Sequence, residues 1–423
     1  MDILLRAARI VNSSSPHHLQ VRDIHICDGQ VVKIARRIDA PSRAKEIALD
    51  NLHICPGLVC LQTYLADPGY EHHETIESGC MAAAAGGYTH VCAVPLTKPV
   101  TQTKALIEYV LRKSADLPVQ VHPLGAITEN AEGKDLTEMF DMHHAGAVAF
   151  SDGWRPSPPA GVVERALLYA KAFDGLIMLH PEDKSISKNG VMHEGVVSTK
   201  LGLPAMPAIA EEIAVHRDLF VLEYTQSKLH FSDISLKRSV EFIRAAKKKG
   251  ARVSASVNFY NLLLTDEAVG QYQTHCKVNP PLREQSDVTA LIKGLDDGTI
   301  DAVCSAHLPQ DEDSKKTEFD KAGFGMIGLE TCFAATHTVL RERMPLEKII
   351  SVLSENPARI IGLKRVIDEG EPADLCLFDP AAQWTFTEKH IRSKSRNTPF
   401  IGYTFTGKPY GIIHRNQIVL NNY

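Results

Sequence analysis

Residues 55–69 have the sequence CPGLVCLQTYLADPG, and this stretch decides the fold. An apolar run lies between two Pro-Gly turns, at 56–57 and 68–69, which predicts a buried parallel strand. Alternate residues of a strand share a face, so Gln62 and Tyr64 are expected to point to the same side. A His-x-His pair at this spacing would aim two imidazoles at one metal ion, whereas an amide and a phenol are poor zinc ligands.

Residues 56–364 alternate strand-like apolar runs with segments of helical period. The clearest helical segments are Val163–Phe173, Ala208–Arg217 and Ser239–Lys249. This alternation predicts an α/β fold, a (β/α)8 TIM barrel whose functional residues lie at the carboxyl ends of the strands. The two ends of the chain carry short alternating strands separated by turn signals instead.

The bulk composition argues against several classes of protein. The 423 residues carry a formal net charge of -5, which argues against nucleic-acid binding. No stretch has the roughly 18–20 consecutive apolar residues that a membrane span requires, and the first residues do not resemble a signal peptide. Nine cysteines without a C-x-x-C spacing are typical of a reducing compartment, which predicts a cytoplasmic protein.

Five sequence blocks occur in the same order as in one protein family. They are GCMAAAAGGYT at 79–89, KVNPPLR at 277–283, GMIGLET at 325–331, NPARIIGL at 356–363 and NTPF at 397–400. Together they resemble the dihydroorotases of the cyclic amidohydrolase superfamily, and the resemblance covers nearly the whole chain. It implies pyrimidine biosynthesis, and a small β-sandwich built from residues 1–55 plus 365–423 beside a barrel formed by residues 56–364.

The resemblance also implies two zinc ions. The family holds them with a His-x-His pair on the first strand, a bridging carboxylate after strand four, and single histidines after strands five and six. In this chain Gln62 and Tyr64 stand at the first pair, and Asp233 replaces the histidine after strand six. Asp152 occupies the bridging position and His180 the position after strand five, so only two of these ligands are unchanged.

The residues that the family uses for catalysis and substrate binding are altered too. Ala306 stands at the catalytic aspartate, and Ala66, Leu96 and Gln310 stand at an arginine, an asparagine and a histidine of the family pattern. Amide-ring hydrolysis needs an activated water, a base and a cation for the substrate carboxylate. Because a candidate for each has been lost, the resemblance predicts that no catalytic or substrate-binding residue is intact.

The leading hypothesis is a dihydroorotase-like protein without activity that serves as a structural or assembly partner. Some family members that lack the metal histidines are needed to assemble a complex with aspartate transcarbamoylase, so the resemblance implies that partner. It also implies a homo-oligomer, because family members are commonly dimers. No cofactor is expected under this hypothesis.

An enzymatic alternative keeps one divalent metal such as zinc. Asp152, His180 and Asp233 would bind it, with His307 as a further candidate, and the chain would be a divergent cyclic amidohydrolase. Three protein ligands plus water is a normal catalytic zinc site. The simpler interpretation is that Asp152 and His180 persist as hydrogen-bonded residues at strand ends.

A third hypothesis is a ligand sensor. Gln62, Tyr64, Asn258 and Tyr260 would then line a polar mouth that binds a pyrimidine-like molecule without turnover.

The adjacent His72-His73 pair follows the Pro-Gly turn at 68–69 and resembles a displaced ligand pair, but neighbouring residues on a strand point apart. We therefore predict a structural or solvated role for these two histidines.

Overall fold

The computed structural model describes residues 1–421. Its strands, in chain order, are β1 (Asp2–Ile10), β2 (Val21–Cys27), β3 (Gln30–Ala35), β4 (Lys45–Ile47), β5 (His53–Pro56), β6 (Leu58–Thr63), β7 (Tyr88–Ala93), β8 (Gln120–Pro123), β9 (Phe150–Pro156), β10 (Ile177–His180), β11 (Met192–His193), β12 (Ala205–Met206), β13 (Leu229–Phe231), β14 (Val253–Asn258), β15 (Ala302–Cys304), β16 (Leu375–Thr385), β17 (Thr404–His414) and β18 (Gln417–Leu420).

The α-helices are α1 (Ile76–Ala85), α2 (Lys104–Lys113), α3 (Met139–His144), α4 (Ala160–Lys171), α5 (Lys184–Ser187), α6 (Val196–Leu201), α7 (Ile209–Thr225), α8 (Lys237–Lys248), α9 (Tyr260–Leu263), α10 (Gln285–Asp296), α11 (Glu312–Lys315), α12 (Leu329–Leu340), α13 (Leu346–Ile350) and α14 (Asn356–Ile360). Short 3-10 or π turns span Glu129–Ala131, Asp266–Val269, Thr274–Cys276, Ser351–Glu355 and Glu388–His390.

Eight parallel strands close into a barrel. Strands β6, β7 and β8 pair with one another, as do β9, β10, β13, β14 and β15. Parallel bridges from Gly125 to Phe150 and from Thr63 to His307 join the two groups. Every residue of β6 is buried, as expected for a strand covered on both faces. The predicted (β/α)8 barrel is therefore confirmed.

A second sheet is built from both ends of the chain. Its strand order is β18-β17-β16-β5-β1-β2-β3, with β4 paired to β1, and the antiparallel pairing of β5 with β16 joins the two ends. An apolar cluster separate from the barrel core includes Ile24, Ile54 and Leu377. The boundaries 1–55 plus 365–423 and 56–364 stay a prediction, and residues 422–423 lie outside the described residues.

Two helices predicted from the sequence can be compared with the structure at their ends. Helix α8 agrees with the predicted segment to within two residues, and Gly250 follows it in the left-handed conformation that ends many helices. Helix α7 continues to Thr225, well beyond the predicted end at Arg217, because no proline or glycine interrupts residues 218–225. Among the described residues, no helix is long and apolar enough to cross a membrane.

Candidate functional site

The polar residues singled out by the sequence meet at the carboxyl ends of the barrel strands. Gln62 belongs to β6, His180 ends β10, and Asp233 follows β13 by two residues. These ends converge because all eight strands run in the same direction around the barrel. The following residues at this mouth are all buried: Gln62, Tyr64, Ala66, Asp152, His180, Asp233, Asn258, Tyr260, Ala306 and His307.

Asp233 is held by the residue that replaces a metal ligand on the first strand. With its amide nitrogen turned toward Asp233, Gln62 donates to both carboxylate oxygens, at 2.5 Å and 2.9 Å. The Asp233 side chain is fully buried, so these bonds supply the partners that a buried carboxylate requires. Asp233 also has a positive φ of 62°, a conformation that non-glycine residues rarely adopt.

His180 lies between two carboxylates. Its Nδ1 atom is 3.7 Å from Oδ2 of Asp233, and its Nε2 atom is 3.6 Å from Oε2 of Glu182. Burial alone would lower the pKa of His180, but Asp233 and Glu182 raise it to about 9. Burial opposes ionisation of Glu182 as well, yet His180 brings the pKa of that carboxyl to about 2. The two carboxylates therefore favour the protonated imidazole of His180 in the metal-free protein, and a metal ion at His180 would have to displace that proton.

Asp152 faces a different group of atoms. Its Oδ1 atom accepts backbone N–H groups of Ile127 and Thr128 at 2.9 Å and 3.0 Å, and its Oδ2 atom accepts the Thr128 hydroxyl at 2.6 Å. Both oxygens are thus satisfied by the loop after β8. This is the hydrogen-bonded, structural arrangement of the simpler interpretation.

The structure brings His180 and Asp233 together but not the full trio with Asp152. Within residues 1–421, these three are not among the groups of donors whose ligand atoms all lie within 4.8 Å of one another. Asp152 is instead held by the backbone of Ile127 and by the backbone and hydroxyl of Thr128. The one-metal alternative stays a prediction: Asp152 and Asp233 are engaged in internal hydrogen bonds, whereas His180 Nδ1 is buried without one.

Two other groups of donors do lie within that distance. His72, His73 and Asp311 form one at the barrel mouth, with His73 Nε2 3.2 Å from Asp311 Oδ2. The predicted structural role of the two histidines is not tested by this proximity.

The second group lies at the opposite end of the barrel and consists of His90, Asp374 and His414. There Arg365 forms an ion pair with Asp374 and neutralises the carboxylate.

Tyr64 and Ala306 cannot replace the lost groups. Burial raises the pKa of the Tyr64 phenol, which keeps it protonated, and its ring packs edge-on against Trp154 with centroids 6.5 Å apart. Ala306 offers only a methyl group at the position of the family's base. A two-zinc site therefore does not fit the residues present: an amide, a neutral phenol and a methyl group stand where two imidazoles and a carboxylate are required.

The three positions that the family uses to bind substrate hold side chains that contact only their own protein neighbours. Gln310 donates through Nε2 to the Phe324 carbonyl at 2.9 Å, Leu96 lies against Gly153, and Ala66 is buried. None of the three presents a cation to the mouth. Ala66 and Ala306 both have positive φ, of 58° and 42°, so these strand ends keep a strained backbone of the kind found at functional sites.

His307, the further ligand candidate, is used inside the fold. Its Nδ1 atom accepts the backbone N–H of Gly328 at 3.2 Å, and its Nε2 atom is 3.3 Å from Oε2 of Glu74. Both nitrogens therefore have protein partners. Glu74 also accepts the backbone N–H of Lys394 at 3.0 Å, so this group connects the barrel mouth to the segment before β17.

The residues proposed for a ligand sensor are buried and partly paired with one another. Asn258 donates to the Tyr260 hydroxyl at 2.9 Å, and Gln62 is engaged by Asp233. The Oδ1 atom of Asn258 is buried without a hydrogen-bond partner. The Nδ1 atom of His180 is also buried without a hydrogen-bond partner, so these two orphaned atoms favour a small polar ligand, and the sensor hypothesis stays a prediction.

Sequence reasoning missed two residues that complete this site. Glu182 neutralises His180, and its place in the run His-Pro-Glu beside the predicted ligand was a signal that could have found it. Thr128 holds Asp152 through a hydroxyl and a backbone N–H. Nothing in the local sequence around Thr128 indicates that contact, because it joins loops after different strands.

Comparison with solved structures defines the class of fold. An L-hydantoinase from Arthrobacter aurescens superposes with a TM-score of 0.87 at 23% identity, covering 99% of this chain and 96% of the hydantoinase. A dihydropyrimidinase from Brevibacillus agri gives a TM-score of 0.84 at 21% identity, covering 100% and 95%. The protein thus has the fold of the cyclic amidohydrolases, a TIM barrel with a β-sandwich.

Sequence comparison identifies the family. A family model described as dihydro-orotase-like matches residues 52–239. A dihydroorotase from Geotalea daltonii is 39% identical over 410 residues, covering 96% of each chain. One from Pelotomaculum thermopropionicum is 39% identical over 426 residues, covering 100% of this chain and 99% of the relative. The chain belongs to the dihydroorotase family.

Proposed function

We propose that this chain is a dihydroorotase-like protein of pyrimidine biosynthesis that does not hydrolyse the ring and serves as a structural partner. The observation that carries the proposal is the internal contact chain from Gln62 to Asp233 to His180. Each member stands at a ligand position of the family and contacts another protein group: Gln62 donates to Asp233, and His180 Nδ1 lies 3.7 Å from Asp233 Oδ2 without a hydrogen bond. Asp233, a buried carboxylate that already accepts two bonds from an amide and lies beside an imidazole, gains little by exchanging these partners for a metal ion.

The chemistry of ring opening supports the same conclusion. Loss of a general base typically costs about 10²–10⁴-fold in rate. Ala306 provides no proton acceptor, and Ala66 removes a cation that would bind a substrate carboxylate. The losses act at three separate steps: forming the nucleophile, moving its proton and holding the substrate. Restoring one of these groups therefore does not compensate for the absence of the other two.

The assembly role rests on resemblance to family members that lack the metal histidines. On that basis we propose aspartate transcarbamoylase as the partner and a homo-oligomer as the form of the chain itself. A separate observation bears on the compartment. All nine cysteines are unpaired thiols, which supports the cytoplasm as the site of action.

Metal content and ring opening test the loss of activity directly. The full chain is purified from zinc-supplemented cells, its metal is counted by mass spectrometry, and dihydroorotate turnover is measured in both directions. We expect turnover at the buffer background and no metal that depends on Asp233. A zinc ion lost in Asp233→Asn, or turnover lost in that variant, overturns the proposal.

The cluster of His72, His73 and Asp311 requires a matched control. Asp311→Asn removes a charged donor from that cluster and leaves Asp233 untouched. Any metal that disappears in Asp311→Asn but remains in Asp233→Asn was bound at the rim, and it does not count as catalytic metal.

Co-purification tests the partner. The tagged full chain is mixed with purified aspartate transcarbamoylase from the same cells, and the complex is measured by light scattering after gel filtration. A stable complex supports the assembly role. Failure to form it at micromolar concentrations of both proteins removes transcarbamoylase as the partner.

A further inference from the structure

Helix α7 exposes a row of large apolar side chains. Phe220 and Tyr224 are 72% and 73% exposed, and Ile209 and Ile213 are 50% and 40% exposed. We call these four residues the α7 face. The opposite side of the helix, including Ala214 and other residues, is buried against the barrel. Monomeric proteins rarely leave a contiguous apolar patch of this kind in water, so its position indicates a contact surface.

The spacing of the α7 face is the same in both directions. Successive members are four, seven and four residues apart, and the midpoint falls between His216 and Arg217. An identical helix laid antiparallel therefore matches it member for member. Contacts between like surfaces with this property are the isologous contacts of two-fold dimers.

We propose that the α7 face docks an antiparallel second copy of this chain about a two-fold axis near His216. Ile209 then meets Tyr224 of the second copy, and Ile213 meets Phe220 of the second copy. The proposal deepens the homo-oligomer part of the proposed function by assigning its surface. It is independent of whether the barrel mouth binds metal.

Two charged side chains near the α7 face are paired within their own chain. Arg217, beside the proposed axis, donates to Asp218 at 2.8 Å and to Ser157 at 2.9 Å, so no unpaired cation is buried there. Glu212, on the flank, lies 3.7 Å from Arg238 of its own chain.

The available area suits a stable dimer. Lys171 donates to the Thr225 carbonyl at 2.8 Å, which brings the end of α4 beside the end of α7, and Leu168 on α4 adds a side chain that is 44% exposed. With roughly 150–250 Å² per large aromatic side chain, the apolar surface is on the order of 500 Å² per copy. Two copies with a polar rim then reach the roughly 1,200–2,000 Å² of a standard interface.

A groove beside the α7 face provides room for side chains of the second copy. It runs between α7 and α8 and is lined by Leu219, Phe220, Phe242 and Ala246. An aromatic side chain inserted into an apolar groove is a common anchor of protein interfaces.

Sedimentation equilibrium of the full chain tests the proposal. We expect a dimer at micromolar concentration for the wild type, and at least a hundredfold weaker dimerisation for Phe220→Glu. Val196→Glu is the matched control, since Val196 is 65% exposed and lies on α6 outside the α7 face. The control is expected to leave the dimer unchanged. A monomeric wild type at 100 µM, or a dimer that survives Phe220→Glu, overturns the proposal.

Cysteine cross-linking tests the register. In the double variant Ile213→Cys/Phe220→Cys, antiparallel docking places each new thiol opposite one on the second copy, so mild oxidation is expected to yield a covalent dimer. The double variant Ile209→Cys/Ile213→Cys places both thiols opposite aromatic side chains and is expected to remain uncross-linked. The reverse pattern refutes the antiparallel register.

A separate outcome identifies a different occupant. If the wild-type chain alone is monomeric and Phe220→Glu abolishes binding to transcarbamoylase, the face belongs to the heterologous partner and the self-docking proposal is wrong. Loss of self-docking leaves the metal and turnover results unaffected, so the two proposals fail separately.

Discussion

The Gln62 amide donates to both carboxylate oxygens of Asp233, across the barrel interior from β6 to the end of β13. The two side chains, which the resemblance places at two ligand positions of the family, depend on each other for their hydrogen bonds in the folded protein. A glutamine alone would leave a polar group without a partner, and an aspartate alone would bury a charge. Together they replace coordination bonds by hydrogen bonds.

Removing Asp233 is expected to destabilise the protein strongly. In Asp233→Ala the His180 imidazolium keeps only Glu182, and the Gln62 amide loses both acceptors. Breaking a buried pair of this kind costs about 3–5 kcal/mol. Guanidinium unfolding of the variant and of Asp313→Ala, an exposed control, measures the difference; a loss below about 1 kcal/mol for Asp233→Ala would contradict the structural role of the contact.

Alkaline pH should weaken the fold through His180. Its pKa is raised to about 9 in the folded protein, above the ordinary value of 6.5, so its stabilising contribution is complete below pH 6.5 and is lost as pH rises through 9. The difference corresponds to about 3 kcal/mol. The free energy of unfolding, measured from pH 6.5 to 9.5, should fall in the wild type and fall less in His180→Gln; parallel curves for the two proteins would refute the assignment.

Acid should weaken a different part of the protein. At the end of the barrel opposite the mouth, burial lowers the pKa of His122 to about 3 and of His414 to about 4. The neighbouring His90 and Arg365 lower both pKa values further, whereas the Asp374 carboxylate raises them. Because both histidines are neutral when folded and charged when unfolded below pH 6.5, stability is lost as pH falls from 6.5 toward 4.

The variant His122→Gln isolates this effect. It should lose about 3 kcal/mol less than the wild type between pH 6.5 and pH 4, because it has one proton fewer to take up on unfolding. Thermal unfolding across that pH range provides the measurement. Equal acid sensitivity of the two proteins would mean that His122 is already protonated in the folded state.

Restoring the first-strand histidines should not restore ring opening. In Gln62→His/Tyr64→His the new imidazoles face Asp233 and His180, but Ala306 still offers no base. We expect turnover of dihydroorotate to stay at background and the free energy of unfolding to decrease. Adding Ala306→Asp and Asp233→His restores the remaining metal and base positions but leaves Ala66, Leu96 and Gln310 at the substrate positions, so measurable turnover in the double variant alone would show that the base position is dispensable.

Sequence patterns predicted the scaffold better than the contacts within the site. The strand containing Gln62 was recognisable because its apolar run and flanking turns are local, and α8 because its period and Gly250 are local. The extension of α7 from Arg217 to Thr225 was not predicted, although residues 218–225 contain no proline or glycine that would end a helix. The pairing of Gln62 with Asp233, and the role of Glu182 beside His180, depend on barrel closure, which no local pattern contains.

The left-handed backbone at Ala66, Asp233 and Ala306 has a consequence for protein engineering. These residues have φ of 58°, 62° and 42°, and each β-carbon in this region costs roughly 1–2 kcal/mol compared with ordinary backbone. The rim thus keeps three bends whose strain the surrounding structure supports. A designer who needs side chains aimed into a barrel can use these three bends as ready attachment points for a new chemistry.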